Sequence, residues 1–196
     1  PSLPGIFERH RDLLSADAVL SADGARWRPD LVALNVGSRG NSGFEIRVQT
    51  AAQDLHSGRF GGIVANPLHV LSTLVAGLHD DQGQIAAPGF YDGVNAPTHT
   101  EQQEIAAIPY DEIAAFDAIG AQPHGEAGYS TLERLWMRPT LDVNGIWGGY
   151  TGAGSKTVIP NEAFAKLTMR LVPGQDPQHA KQAVMDHLKA RLPAYA

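Results

Sequence analysis

"AFAKLTMRLVPGQDPQHAKQAVMDHLKARL", residues 163–192, reads as a strand over 163–172 followed by a helix over 176–192. Asp176 is placed to cap that helix and Pro177 to open it, because proline at a first helical position gives up no hydrogen bond the helix needs. Upstream, "TLDVNGIWGGY" (140–150) is a second strand. Further back, "NPLHVLSTLVAGLH" (66–79) is a helix capped by Asn66, opened by Pro67, with Leu68, Leu71, Leu74, Val75 and Leu78 on one face. Before it, "GFEIRVQTA" (43–51) alternates Phe44, Ile46 and Val48 with polar residues, the period of a half-buried strand. The order from residue 43 is strand, helix, insert, strand, strand, helix. That is most of a split β-α-β unit, an α/β (α+β two-layer) ferredoxin-like plan with an antiparallel sheet, two helices on one face and the last strand missing.

The flanks are less regular. Residues 6–14, "IFERHRDLL", have helical spacing, and "DAVLSAD" (17–23) reads as a strand ending near Asp23. The link "RWRPDL" leads to "ALNVGSRG" (33–40), where Gly37 and Gly40 mark a boundary. Residues 84–139 are an irregular excursion with helical pieces at 109–117 and 130–136. Phe90, Tyr91, Phe116, Tyr129, Leu132 and Trp136 argue that it is ordered, since disordered segments lack such residues.

The 196 residues carry a net charge of −6, which argues against nucleic acid and anionic membrane as partners. No run of eighteen apolar residues spells a membrane span, and no signal peptide opens the chain. The absence of cysteine removes disulfides, thiolate metal sites and a cysteine nucleophile, and fits a cytoplasmic protein. The chain starts at Pro1 without an initiator methionine and stops just past a helical pattern, so a fragment of a longer protein is expected.

The motifs taken alone complete no catalytic set. "GYTGAGSKT" (149–157) misses the phosphate-loop spacing because Ser155 precedes Lys156, and a glycine turn between strands over 148–154 fits better. The eight histidines form no HExxH pair, and His69, His79, His179 and His187 read as solvent-facing or satisfied core residues. "DLHSGRFGG" (54–62) isolates His56, which Ser57 cannot serve as nucleophile, since adjacent side chains diverge. Arg170 alone reads as a strand-end surface arginine, and Asp23 before Gly24 as a turn residue.

Several stretches together change those readings. "DLHSGRFGG", "NPLHVLSTLVAGLHDDQGQI", "APGFYDGV" and the run from Gly125 to Pro177 resemble the carnosinase-like metallodipeptidases. These belong to the wider family of acetylornithine deacetylase and succinyl-diaminopimelate desuccinylase. The resemblance spans residues 1–192 and implies a two-zinc hydrolase whose catalytic domain is interrupted by a lid, or dimerisation, domain. It makes residues 1–38 a leader from the catalytic domain and 39–196 the lid. Asp23 matches a zinc-binding aspartate, the other ligands lying outside this chain. His56 matches a histidine that reaches into the neighbouring subunit and donates to the scissile carbonyl oxygen. Thr157 in "KTVIP" and Arg170 in "MRLVP" match residues that hold the substrate's C-terminal side, the arginine on its carboxylate. "PDLVALNVG" departs from the family at the hinge, where a second proline is more usual.

The implied function is a homodimerising lid of a zinc dipeptidase, its substrate a dipeptide or N-acyl amino acid with a free carboxylate. A deacylase of N-acyl amino acids and a non-catalytic dimerisation module are the alternatives, and the insert leans toward the dipeptidase. On this reading the isolated chain is inactive, self-associates through the helix at 66–79 and an adjacent sheet edge, and leaves His56 without a partner in its own chain.

Overall fold

The computed structural model describes residues 2–18, 27, 28, 30, 31, 33, 35 and 37–196. The strand expected to end at Asp23 falls, beyond Ala18, outside the described residues, and Asp23 with it. Contacts divide the chain into two compact units, Pro1–Gly37 and Ser38–Ala196.

In the first unit the helix expected over 6–14 is two pieces, α1 (Leu3–Arg9) and α2 (Arg11–Leu14). Pro4 opens the first piece earlier than the apolar spacing implies, and His10 leaves helical backbone values at φ −121° and ψ 26°. Neither piece contains a buried residue.

The second unit runs β1 (Gly40–Gln49), β2 (Leu55–His56), α3 (Ser57–Phe60), α4 (Pro67–Ala76), α5 (His99–Ala106), α6 (Glu112–Ile119), α7 (Thr131–Met137), β3 (Thr140–Gly148), β4 (Val158–Ile159), β5 (Glu162–Leu171) and α8 (Pro177–Arg191). Its main sheet is antiparallel in the order β1-β5-β3, and β2 pairs with β4 in a separate two-residue ladder. Among the described residues this is the ferredoxin-like arrangement, with α4 and α8 on one face. The cause lies in the alternation along β5. Ala163, Ala165, Leu167, Met169 and Leu171 are buried, while Lys166 and Arg170 between them are exposed. Against the buried row pack Val70, Leu71 and Leu74 of α4 and Ala180, Ala183, Val184 and Leu188 of α8. Side chains such as Leu71, Leu167 and Val184, all but fully buried, each contribute about 1.5–3 kcal/mol relative to exposure.

The caps read from sequence are in place: Asn66 accepts from the Leu68 amide and Asp176 from the His179 amide. His187 is a satisfied core residue, its Nε2 2.8 Å from the Gly77 carbonyl it donates to and its Nδ1 accepting from Arg191 at 2.9 Å. On the sheet's open face Trp147 stacks on Phe164 at 5.3 Å, with the Lys166 ammonium over the indole.

The insert is more regular than its sequence suggests. Besides α6 and α7, close to the two expected helical pieces, it contains α5, in a stretch read as irregular. The overlooked signal is a capping box. The Thr98 amide donates to Glu101, whose own amide donates back to the Thr98 hydroxyl, and Ser130 with Glu133 repeats the device at α7. The insert is closed onto the sheet unit where Gly93 and Gly174 meet. A Cβ on Gly93 would lie 2.1 Å from the Gly174 carbonyl oxygen, and both residues hold positive φ.

These caps carry a pH dependence. The Thr98 backbone amide, then its hydroxyl, hold the Glu101 carboxyl below its ordinary 4.5; the Ser130 hydroxyl and amide do the same for Glu133. A folded pKa below the unfolded one gives stabilisation that is complete above about 4.5 and is lost as pH falls through the folded value. Amide exchange in the first turns of α5 and α7 is therefore expected to accelerate between pH 5 and pH 3 relative to the first turn of α4, whose cap is the amide Asn66. Equal protection ratios across that range would contradict it.

Candidate functional site

The two-residue ladder of β2 and β4 organises the ground around His56. Leu55 faces Ile159 and His56 faces Val158, and the Ser57 amide continues the pairing to the Thr157 carbonyl at 3.0 Å. Asp54 fixes the approach by accepting from the Asn161 amide at 3.0 Å. Neither strand was legible in the sequence, because two residues are too few to display a period.

This ladder overturns the expectation that His56 lacks partners in its own chain. Its Nδ1 accepts from the Gly58 amide at 3.0 Å, and its Nε2 lies 3.2 Å from the Thr157 hydroxyl. His56 also caps the short helix α3. The reason is the turn itself: the chain reverses directly after β2, so a side chain at its last residue folds back over the following amides. Both His56 and Thr157 remain exposed.

Arg170 belongs to a different place. It is exposed on β5, between Asn41 of β1 and Thr140 of β3. From Glu162, where β5 begins next to the β2–β4 ladder, it is eight residues along an extended strand, about 27 Å at the ordinary rise. The sheet end around Arg170 holds a second cation that sequence reading passed over. Burial first, and then the like charge of Arg170, push the Arg39 guanidinium below its usual value, with Asp142 opposing. Arg39 stands in "GSRG", a stretch read only as a boundary; nothing in its spacing announces a neighbour 131 residues away.

One wall of this end is the insert. Arg138 and Glu126 form a buried two-pronged ion pair at 2.7 and 2.6 Å, and the guanidinium lies over the rings of Tyr129 and Tyr91 at 4.4 and 5.0 Å. Burial works against the Arg138 charge, but the hydrogen bonds and charge of Glu126 outweigh it and hold the guanidinium above its usual value. The Arg138 carbonyl accepts from Arg39.

Among the described residues no group of three or more histidines, cysteines, aspartates or glutamates could hold a metal ion. Nor, among them, is any helix long and apolar enough to cross a membrane.

Comparison with known proteins shows the family of the chain. The model for the peptidase dimerisation domain matches residues 36–196. The mouse Beta-Ala-His dipeptidase is 33% identical over 185 residues, which is 93% of this chain and 37% of the relative. The Cys-Gly metallodipeptidase dug1 of Schizosaccharomyces pombe is likewise 33% identical over 185 residues, 92% of this chain and 38% of the relative. The crystal structure of an M20 family metallo-carboxypeptidase from Sulfolobus solfataricus superposes with a TM-score of 0.81 at 33% identity, over 97% of this chain and 50% of that one. The chain thus spans less than two-fifths of the length of these two dipeptidases.

Proposed function

The chain belongs to the peptidase dimerisation domain family, and from that footing we propose that it is the lid of a metal-dependent dipeptidase whose active sites are each completed by two copies of the chain. Residues 1–38 would then be a leader from the catalytic domain and 39–196 the lid, with Asp23 the one metal ligand this chain supplies to a pair of zinc ions. The remaining metal ligands would come from the rest of the enzyme. The substrate is a dipeptide or related amide with a free C-terminal carboxylate; two relatives named as dipeptidases, for Beta-Ala-His and for Cys-Gly, support the dipeptide.

The observation that carries the reading is the separation of His56 from Arg170. A dipeptide spans roughly 7 Å at full extension, far less than the length of β5 that separates the two ends of the lid. His56 with Thr157 and Arg170 with Arg39 cannot grip one such substrate within a single lid. They can if a second copy presents its His56 and Thr157 where the first presents Arg170. Arg170 then binds the carboxylate through its planar fork, and Arg39 adds positive field. His56 donates from Nε2 to the carbonyl oxygen, where negative charge develops as the amide is attacked. Without those partners, a lone 196-residue chain hydrolyses nothing.

The pairing surface is the side of the unit that carries α4 and β3. β3 is an edge strand, and Val143 and Ile146 on it are exposed, as are His69 and Thr73 of α4. We expect the chain to sediment as a dimer at high micromolar concentration, and His69→Glu with Thr73→Glu to make it monomeric without changing its circular dichroism. In the intact enzyme the same pair should abolish turnover. A monomeric wild-type chain, or a charge variant that stays dimeric, would refute the proposed surface; a monomeric variant with full activity would refute the shared site.

A further inference from the structure

The amide of Gly58 points at Nδ1 of His56, and the ring lies where a side chain on residue 58 would have to be. We propose that Gly58 is a positioning residue that fixes His56 as the tautomer protonated on Nε2. This rests on the reading of His56 as an oxyanion donor and names what prepares it for that task.

The two ring nitrogens of a neutral imidazole divide the roles of donor and acceptor, and the partner of one decides which form is present. An N–H at 3.0 Å from Nδ1 can only donate, so Nδ1 must carry the lone pair and Nε2 the proton. Nε2 is the atom directed at Thr157, whose hydroxyl oxygen accepts from it at 3.2 Å and keeps the donor satisfied until a substrate oxygen replaces it. The hydroxyl could equally accept from or donate to Nε2, so Thr157 does not select the tautomer; the amide, which has one polarity, does.

Glycine leaves the ring the room it occupies. A Cβ on residue 58 would stand 2.9 Å from Cε1 and 3.2 Å from Nδ1 of His56, closer to the ring carbon than such contacts occur. The exposed ring would have to shift, and on the proposal it shifts away from the Gly58 amide. Substitution therefore removes the selecting hydrogen bond although the N–H itself survives, and it does so on the surface, away from the hydrophobic core.

The test uses nitrogen-15 NMR on the 196-residue chain at a pH where His56 is neutral. In wild type we expect a proton on Nε2, an unprotonated Nδ1, and a through-hydrogen-bond coupling between the Gly58 amide and Nδ1. Thr157→Val should leave all three in place. Gly58→Ala should lose the coupling and shift Nδ1 toward the tautomeric average, with other amide resonances unmoved beyond the loop. A protonated Nδ1 or a missing coupling in folded wild type overturns the proposal, as does a Thr157→Val chain that changes tautomer. Should Gly58→Ala not fold, the wild-type and Thr157→Val spectra still decide. In the intact enzyme Gly58→Ala should lower kcat with KM held, and add nothing on top of His56→Ala. If the spectra are as expected but His56→Ala is fully active, the oxyanion role fails while the tautomer assignment stands.

Discussion

In the intact enzyme, His56→Ala is expected to lower turnover about 10²–10³-fold, the usual cost of removing one donor to a developing oxyanion. Folding and metal content should hardly change, because the exposed ring is neither in the core nor in any cluster of metal-ligating side chains among the described residues. Arg170→Ala should instead raise KM steeply, through loss of the carboxylate's fork. The separation of the two residues along β5 makes the pair of variants informative together. Mixed in equal amounts and allowed to exchange subunits, half of the dimers combine one of each. In such a dimer one site receives an intact His56 from one copy and an intact Arg170 from the other, while the second site lacks both. Random pairing of a two-fold dimer then restores about a quarter of wild-type activity. If heterodimers form and activity stays at the level of the parents, both residues act within one subunit and the shared site is wrong.

The layered fold was legible because its elements are long enough to declare a period. The alternation of Phe44, Ile46 and Val48 and the Asn66-Pro67 and Asp176-Pro177 starts survive into the structure with their boundaries shifted by a few residues. What stayed hidden is short or distant. The β2–β4 ladder has two residues a side, so no pattern could reveal it, and with it went the contact of His56 and Thr157 across 101 positions. Helix α5, "HTEQQEIA", has too few apolar residues to show a face, and only its capping box could have announced it. The candidate residues themselves came from resemblance rather than spacing. An exposed histidine and an exposed strand arginine look ordinary on their own, and neither spacing nor burial marks them out.

Replacing either Glu126 or Arg138 by alanine should be among the most damaging single side-chain truncations in the insert. The pair is two-pronged and buried, with side-chain exposure of 7% and 10%, so removing one member strands the other's charge away from water. Such a loss typically costs about 3–5 kcal/mol. For a chain of this size that lowers the melting temperature by roughly 6–20 °C. Arg138→Ala also removes the guanidinium's contacts with the rings of Tyr91 and Tyr129, so it should cost at least as much as Glu126→Ala. The double change Glu126→Leu with Arg138→Met should be milder than either alanine variant, since it leaves no orphaned charge and keeps the volume. Differential scanning calorimetry of the four proteins decides the matter: alanine variants within a degree or two of wild type would mean the pair is wetted and contributes little. The effect reaches function through the backbone. The Arg138 carbonyl accepts from Arg39, and Arg39 feels the charge of Arg170, so loosening the ion pair loosens one support of the sheet end proposed to hold the carboxylate. In the intact enzyme at a temperature where the fold still holds, Glu126→Ala should therefore raise KM for substrates with a free carboxylate. It should leave kcat near wild type, because His56, the proposed oxyanion donor, lies beyond the opposite end of β5.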